Sequence, residues 1–168
     1  MRIVLALIGF SLAAVPTAAA AQAAKAPSRS ADSAAVLRVA ESVFDAMRKR
    51  DTVMLKAAFA PDARLTTAAP ARDGSPRVDS EKLESFVSAL SQPSDSIWDE
   101  KTFEHEVRID GNLATAWMEY DFYLGTRFSH CGVDAFQLAR FAEGWKIVAL
   151  ADTRQREGCP RTPPAPGK

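Results

Sequence analysis

The sequence predicts an α+β fold in which N-terminal helices pack on a curved, mostly antiparallel sheet of four to six strands. Residues 32–59 carry apolar side chains at helical spacing. Residues 113–153 form three runs rich in aromatic and β-branched residues, separated by two turn signals, which is typical of an antiparallel meander. The 168 residues, 47% hydrophobic and 25% charged, suit one ordinary globular domain.

Residues 1–23 are predicted to be an export signal. Arg2 provides a positive start, residues 3–15 are apolar, and Ala21-Gln22-Ala23 is a small-x-small cleavage site. The apolar run is shorter than the roughly 20 residues that span a membrane. We therefore expect a periplasmic or secreted protein with no membrane association after cleavage. Residues 24–30 are expected to be a flexible N-terminus.

Three helices are predicted before the meander. The first begins near Asp32, where Ser and Asp side chains are available as caps. Asp51 is the predicted cap of a second, short helix that extends to Phe59. A third helix is expected over residues 80–90, which carry apolar residues at three- and four-residue spacing.

The strands that precede the meander have weaker signals. Residues 64–67 are a candidate strand, and residues 68–76, rich in Ala, Pro, Asp and Gly, are expected to form a loop. Residues 97–109 have strand composition and end at the hairpin signal Asp110-Gly111-Asn112. A loop of two residues and a loop of three place the preceding side chains on opposite faces, so both arrangements stay open. The residues affected are Trp98, His105 and Glu106.

Two turns set the predicted register of the meander. Gly125-Thr126 has Gly at the first central position, as a type II′ turn requires, and Glu143-Gly144 marks the second turn. The first turn pairs Tyr123 with Phe128 and Asp121 with His130. The same register also pairs Leu124 with Arg127, Glu119 with Gly132, and Trp117 with Asp134.

Side chains alternate between the two faces of a strand, so this register predicts which residues share a face. One face is apolar at one end and polar at the other. Its functional candidates, predicted to bind a ligand, are Trp117, Glu119, Asp121, Tyr123, His130 and Asp134. The second face is apolar throughout and is predicted to contain Ala114, Ala116, Met118, Tyr120, Phe122, Val133, Ala135, Val148 and Leu150. Because a sheet that is apolar on both faces needs two covers, we expect helices on one face and a second subunit of a homodimer on the other.

Cys131 and Cys159 are the two cysteines of the chain. An even number of cysteines in an exported protein favours a disulfide bond. With Glu143-Gly144 as the loop, Cys131 faces Arg156, three residues before Cys159, so the chain after the last strand can fold back to close the bond. The alternative is two free, buried thiols.

Two segments carry a resemblance to a known superfamily. FDAMRKRDTVMLKAAFAPDARL has an Asp that starts a second helix and a Pro-Asp that ends it, and the second segment is VRIDGNLATAWMEYDFYLGTRFSHCGVDAFQLARFAEGWKIVALADT. Both resemble the nuclear transport factor 2-like superfamily, also called SnoaL-like, and in particular its exported bacterial branch labelled lumazine-binding. The resemblance covers roughly residues 31–153.

This resemblance implies a cystatin-like cone, in which a curved sheet surrounds a cavity closed by the helices. It implies that the six candidates named above line or rim that cavity. The domain is expected to span residues 31–156, with a disordered, Pro-rich tail over residues 157–168. Ketosteroid isomerases of this fold use a helical Tyr, and the first helix here contains no Tyr.

His130 and Asp121 are the candidate acid–base pair, since a carboxylate across the strand can fix the imidazole tautomer. The alternative is a satisfied polar cluster at the rim of a pocket. Glu119, Asp121 and His130 are conceivable metal ligands, but we expect neither a metal nor a cofactor. The sequence contains no Gly-x-Ser-x-Gly motif and no Gly-rich phosphate loop.

Three functions remain open at this stage. The favoured one is an exported, non-catalytic protein that binds a small hydrophobic or aromatic ligand or serves as a scaffold, with Trp117 and Tyr123 as candidate stacking walls. The alternatives are a cofactor-independent isomerase or lyase and a structural module that binds a protein partner. A formal net charge of zero argues against nucleic acid as a partner. A strongly shifted carboxyl or His pKa in a pocket favours the enzyme.

Overall fold

The computed structural model describes residues 29–159, which form three helices and a six-stranded sheet. The helices are α1 (Arg29–Lys49), α2 (Thr52–Ala58) and α3 (Leu83–Ser91). The strands are β1 (Phe59–Pro70), β2 (Pro76–Lys82), β3 (Trp98–Asp110), β4 (Leu113–Leu124), β5 (Arg127–Phe141) and β6 (Gly144–Thr153). The predicted signal peptide, residues 24–28 and the tail from residue 160 lie outside the described residues.

The sheet has the strand order β2-β1-β6-β5-β4-β3. Every neighbouring pair is antiparallel except β1 and β6, which run parallel. Strands β3 to β6 follow one another through tight turns and form the predicted meander. The predicted α+β architecture with a mostly antiparallel sheet is therefore confirmed.

The helices cover one face of this sheet. Helix α1 buries an apolar face against it, and the ring of Phe44 meets the ring of Phe136 edge-on, with 6.0 Å between centroids. Asp51 caps α2 as predicted, because its Oδ1 accepts hydrogen bonds from the backbone N–H groups of Val53 and Met54, both at 2.9 Å. No helix within residues 29–159 combines the length and the apolar character needed to cross a bilayer.

Three elements have boundaries that differ from the prediction. Strand β1 spans Phe59–Pro70 rather than residues 64–67, and it includes the Pro61-Asp62 pair. Helix α1 begins at Arg29, so the last two residues of the expected flexible N-terminus are helical. Helix α3 begins at Leu83 rather than at residue 80, because residues 76–82 form the edge strand β2 and most of the predicted loop 68–76 belongs to the β1–β2 hairpin. Every residue of β2 is exposed, so neither face of the strand requires apolar side chains. The alternation of apolar and polar residues that predicts a strand is therefore absent there.

The predicted position of the first turn of the meander is confirmed, but the predicted register beyond it is wrong. Leu124 pairs with Arg127 and Tyr123 with Phe128, as a loop at Gly125-Thr126 requires. A β-bulge at Ser129 then shifts the pairing by one residue. Phe122 is opposite His130, and Asp121 is opposite Cys131. The predicted pairs Asp121–His130, Glu119–Gly132 and Trp117–Asp134 therefore do not form.

This shift places two of the six candidate residues, His130 and Asp134, on the face opposite the other four. His130 and Asp134 share the inner face, toward the helices, with the even-numbered residues of β4 from Ala114 to Phe122. The odd-numbered residues from Trp117 to Tyr123 lie on the outer face with Val133 and Ala135. The residues predicted to form the second face are thus divided between the inner and outer faces. Met118, one of them, is a fully buried core residue.

The second turn is displaced by one residue from the prediction. Phe141 pairs with Gly144, so the loop is Ala142-Glu143 and Cys131 faces Gln155 rather than Arg156. Cys131 and Gln155 exchange two backbone hydrogen bonds of 2.9 Å. The chain then closes the predicted disulfide between Cys131 and Cys159, with sulfur atoms 2.11 Å apart.

The loop between β3 and β4 contains two residues, Gly111-Asn112, because Asp110 pairs with Leu113. A bulge between Thr102 and His105 modifies the alternation of β3. As a result, Trp98 faces the helices, whereas Glu106 lies opposite Trp117 on the outer face. His105 is exposed.

Candidate functional site

A cavity of about 600 Å³ lies between the inner face of the sheet and the helices. Its walls are largely apolar and aromatic. The ring of Trp98 meets that of Phe122 edge-on at 6.4 Å, and Phe122 lies 4.9 Å from the imidazole of His130. Phe44 and Phe86 contribute from the helical side. A concave, aromatic space of this size is the usual form of a small-molecule site.

The floor of the cavity is polar, with one side chain supplied by each of four adjacent strands. Glu100 comes from β3, Tyr120 from β4, Asp134 from β5 and Asp152 from β6. Arg154 follows directly after β6. Tyr120 faces inward by the alternation of β4. The bulges in β3 and β5 and the unpaired Val148 in β6 bring Glu100, Asp134 and Asp152 to the same face.

Glu100 and Asp134 form a buried pair of carboxyl groups. Their exposed fractions are 9% and 4%, and their side chains hydrogen-bond to each other. Burial raises the pKa of Glu100 to about 7, although the hydrogen bond from Asp134 lowers it; the charge of Asp152 raises it further, and those of Arg154 and Arg48 lower it. Burial and the charge of Glu100 raise the pKa of Asp134 well above its ordinary value. The pair therefore retains at least one proton at neutral pH.

The carboxylate of Asp152 accepts hydrogen bonds from two side chains. Arg154 Nε donates to Oδ2 at 2.6 Å, and Thr67 Oγ1 donates to Oδ1 at 2.6 Å. Asp152 lies directly opposite Asp134 in the sheet. Two like charges in such a pair are unfavourable, which adds to the reasons for a protonated Asp134.

Tyr120 presents an acceptor rather than a donor to the cavity. Its hydroxyl donates to the backbone carbonyl of Thr153 at 2.7 Å, and burial raises the pKa of Tyr120 above its ordinary value. The hydroxyl proton is thus used in the hydrogen bond to Thr153, and the lone pairs of the oxygen are available to accept a hydrogen bond from a ligand. Gly132, opposite Tyr120, permits this approach, because a Cβ atom there would lie 1.9 Å from the Thr153 oxygen.

His130 is a neutral wall of the cavity. Burial lowers the pKa of His130 to about 4, and the charge of Arg154 lowers it further. Its Nδ1 lies 3.0 Å from the hydroxyl of Ser129. The predicted carboxylate partner, Asp121, is on the other side of the strand, so the proposed pairing of these two residues is wrong.

Comparison with known proteins identifies the family and the fold. A family model described as "Putative lumazine-binding" matches residues 31–151. The chain belongs to this lumazine-binding family. No curated protein sequence matches it at a significant level.

Solved structures place the family in the nuclear transport factor 2-like fold. A protein of unknown function from Shewanella baltica OS155 has 16% identity and a TM-score of 0.60, covering 78% of this chain and 99% of its own. A protein from Streptomyces avermitilis, described as "a putative dehydratase from the NTF2-like family", has 16% identity and a TM-score of 0.61, covering 77% and 99%. A Nostoc punctiforme PCC 73102 domain described as having a cystatin-like fold has 15% identity and a TM-score of 0.57, covering 77% and 80%. At these identities the likeness establishes the fold alone.

In this lumazine-binding family member, two of the six predicted ligand-binding residues, His130 and Asp134, line the cavity. The other four lie on the outer face of β4. Asp121 is buried beside Cys131, and Tyr123 contacts the ring of Phe128 and the Lys101 ammonium group. The ligand-binding roles of all six residues stay predictions.

Trp117 lies in a separate, shallow depression on the outer face. Its exposed fraction is 53%, and the depression encloses about 410 Å³. Arg64, Arg108 and Glu106 surround it. The residues predicted as one site are therefore divided between two surfaces of the sheet.

Several cavity residues were missed by sequence reasoning, and one signal could have found them. An isolated Gly within a strand suggests a bulge or a close backbone approach, and Gly132 is such a residue. The missed residues are Trp98, Glu100, Tyr120, Phe122, Asp152 and Arg154.

The structure gives no arrangement suited to a metal ion among residues 29–159, where no group of three His, Cys, Asp or Glu residues is placed to hold one. Asp121 and His130, two of the conceivable ligands, lie on opposite faces of the sheet. The chemistry available at the floor is instead hydrogen bonding and proton exchange by Glu100, Asp134 and Tyr120.

Proposed function

We propose that this chain is an exported protein that binds a small hydrophobic or aromatic molecule in the cone cavity. The observation that carries the proposal is the cavity of about 600 Å³ with aromatic walls and a compact polar floor. A structural module has no need of such a space, whereas a ligand site combines apolar walls with a few convergent polar groups. Export is supported by the Cys131–Cys159 bond, since such bonds persist in oxidising compartments.

The two tryptophans of β3 and β4 provide a matched test. 1-Naphthylmethanol, a flat and neutral probe, should bind the wild-type protein, and Trp98→Ala should weaken binding about tenfold because an aromatic wall is lost. Trp117→Ala should leave the affinity unchanged, because this ring is on the outer face. Isothermal titration calorimetry measures both. Equal losses in the two variants, or a loss in Trp117→Ala alone, would contradict the cavity as the binding site.

Acid–base catalysis is the second candidate, favoured by one observation. The Glu100–Asp134 pair has raised pKa values, and that of Glu100 lies near neutrality, where a carboxyl can both accept and donate a proton. Exchange of the α-protons of 2-tetralone for deuterium, followed by NMR, separates the two functions. A binding protein leaves the exchange rate unchanged, and an isomerase or lyase accelerates it through this pair.

We also propose that the outer face pairs with a second copy of the chain. Exposed Trp117 lies among Arg64, Arg108 and Glu106, so the face carries apolar area and both signs of charge. In a two-fold contact the same patch meets itself, and the Arg side chains of one copy can then oppose the Glu side chains of the other.

Trp117→Lys should convert this dimer to a monomer, because it places a cation in the centre of the contact. The matched control is Val53→Lys, which changes another exposed apolar residue, 77% accessible, on helix α2. Sedimentation equilibrium at micromolar concentration measures the mass. A monomeric wild-type protein would end the proposal. Met118, which the sequence placed on this face, is unsuitable for the test because it is buried in the core.

A further inference from the structure

The charges that line the cavity are unbalanced. The described acidic residues on its wall and mouth are Glu81, Glu100, Asp134 and Asp152, and the one cationic side chain among the described lining residues is Arg154. Arg154 is bound to Asp152 at 2.6 Å, so these two charges cancel. The remaining acidic groups are Glu81, exposed at the mouth, and the carboxyl pair, which retains at least one proton, so the interior has acidic groups and no unpaired cation among the described lining residues.

The polar groups of the floor offer a ligand hydrogen-bond acceptors, because several of their donors are already used within the protein. The hydroxyl protons of Tyr120 and Thr67 are donated to Thr153 and Asp152, respectively. Asp134 is 4% exposed, lines the cavity, and its Oδ2 has no hydrogen-bond partner within the described part of the chain. On Tyr120, Thr67 and Asp134 the open positions are therefore acceptors, and a buried acceptor without a donor is costly.

The aromatic walls suit a positive charge as well. The ring of Trp98 already has the Arg50 guanidinium 6.0 Å from its centroid, and Phe122 stands beside the floor with a π-face that can attract a further cation. An anionic ligand would instead lie against carboxyl groups in a space of low dielectric constant, where repulsion is strong.

We propose that the cavity selects a flat aromatic molecule that carries a protonated amine, whose N–H groups bind Asp134 Oδ2, Glu100 and the hydroxyl oxygen of Tyr120. The inference rests on the proposed small-molecule-binding function and names the ligand class for the same site. The ammonium group provides three donors for the three acceptors of the floor. Its charge also compensates the carboxyl pair, and any proton that the pair releases on binding passes to solvent.

Three probes of the same shape and different charge test this ligand class. They are 1-naphthylmethylamine, 1-naphthylmethanol and 1-naphthoate, each titrated calorimetrically at neutral pH into the chain from residue 24 onward with its disulfide intact. The amine should bind at least about tenfold more tightly than the alcohol, and the carboxylate should not bind measurably. Asp134→Asn should reduce the preference for the amine to less than about threefold while the affinity for the alcohol stays within about twofold.

Glu143→Gln is the control, because it removes an exposed acidic residue in the loop between β5 and β6, away from the cavity. It should change none of the affinities. If circular dichroism shows that Asp134→Asn does not fold, Glu100→Gln removes the other half of the pair and should give the same loss of preference.

The outcomes separate this inference from the function on which it rests. If the alcohol binds as tightly as the amine or more tightly, the ligand class is wrong and the cavity remains a small-molecule site. If the carboxylate binds more tightly than both, the ligand class is wrong in the sign of its charge. If neither the amine nor the alcohol binds, the proposed function fails and the ligand class fails with it.

Discussion

The free energy of unfolding of Glu100→Gln should increase relative to that of the wild type by about 3 kcal/mol as the pH rises from about 4 to about 8. Glu100 is buried with its pKa raised from an ordinary 4.5 to about 7. Below pH 4.5 its carboxyl is protonated in both the folded and the unfolded chain, and its contribution to stability is complete. Between pH 4.5 and 7 the unfolded chain loses this proton while the folded protein keeps it, so the wild type loses stability.

The comparison with the variant is needed because His130 acts in the opposite direction. Burial lowers its pKa from 6.5 to about 4, so the unfolded chain takes up a proton first as the pH falls. His130 therefore destabilises the protein below pH 6.5, where the protonation of Glu100 stabilises it. Subtracting the wild-type curve from that of Glu100→Gln cancels the His130 contribution and leaves the carboxyl pair.

Urea denaturation at a series of pH values gives these free energies. The control Glu143→Gln should follow the wild-type curve, since its side chain is exposed in the loop between β5 and β6. A difference between Glu100→Gln and wild type that is independent of pH would show that the carboxyl titrates at its ordinary value.

The second large effect concerns the disulfide. Cys159→Ser should lower the free energy of unfolding by about 3–4 kcal/mol, because the bond closes a loop in the unfolded chain and so reduces its conformational entropy. The two cysteines are 28 residues apart. For a domain of this size the loss corresponds to a decrease in melting temperature of about 10 °C.

Scanning calorimetry of the wild type with and without reductant measures the same quantity. Cys159→Ala should match Cys159→Ser, because either change removes the same bond. An unchanged melting temperature on full reduction would show that the bond contributes no stability. The bond also holds the segment that carries Arg154, through the paired backbone of Cys131 and Gln155, so its loss should loosen one wall of the cavity.

Much of the fold follows from local signals that act over a few residues. The Gly125-Thr126 loop, the Asp51 cap and the pairing of Cys131 with Cys159 each depend on side chains close to the turn, helix end or strand end that they define. These signals are the same in the isolated sequence and in the folded chain. For this reason the three helices and the meander could be predicted.

The site could not be predicted in the same way, because it depends on the Ser129 bulge. A bulge moves the side chains that follow it to the opposite face of the sheet. The distribution of apolar residues in the sequence indicates this change only when one face of the sheet is polar. Here Trp117 and Ala135 make the outer face partly apolar, while Met118 and Phe136 make the inner face apolar. Both registers were therefore compatible with the sequence.

Carboxyl-resolved carbon-13 NMR is the most direct test of the central claim, that Glu100 and Asp134 meet as a buried, proton-retaining pair on the floor of a ligand cavity. The protein, labelled at Asp and Glu, is followed from about pH 3 to about pH 9, with Asp134→Asn and Glu100→Gln used to assign the two signals. We expect one carboxyl signal to titrate near pH 7 and the other well above its ordinary range. Asp134→Asn should leave the Glu100 midpoint far above 4.5, because burial is the main cause of its shift and the Asp134 hydrogen bond opposes it. Two signals that both titrate below about pH 5 would contradict the pair and the site built on it.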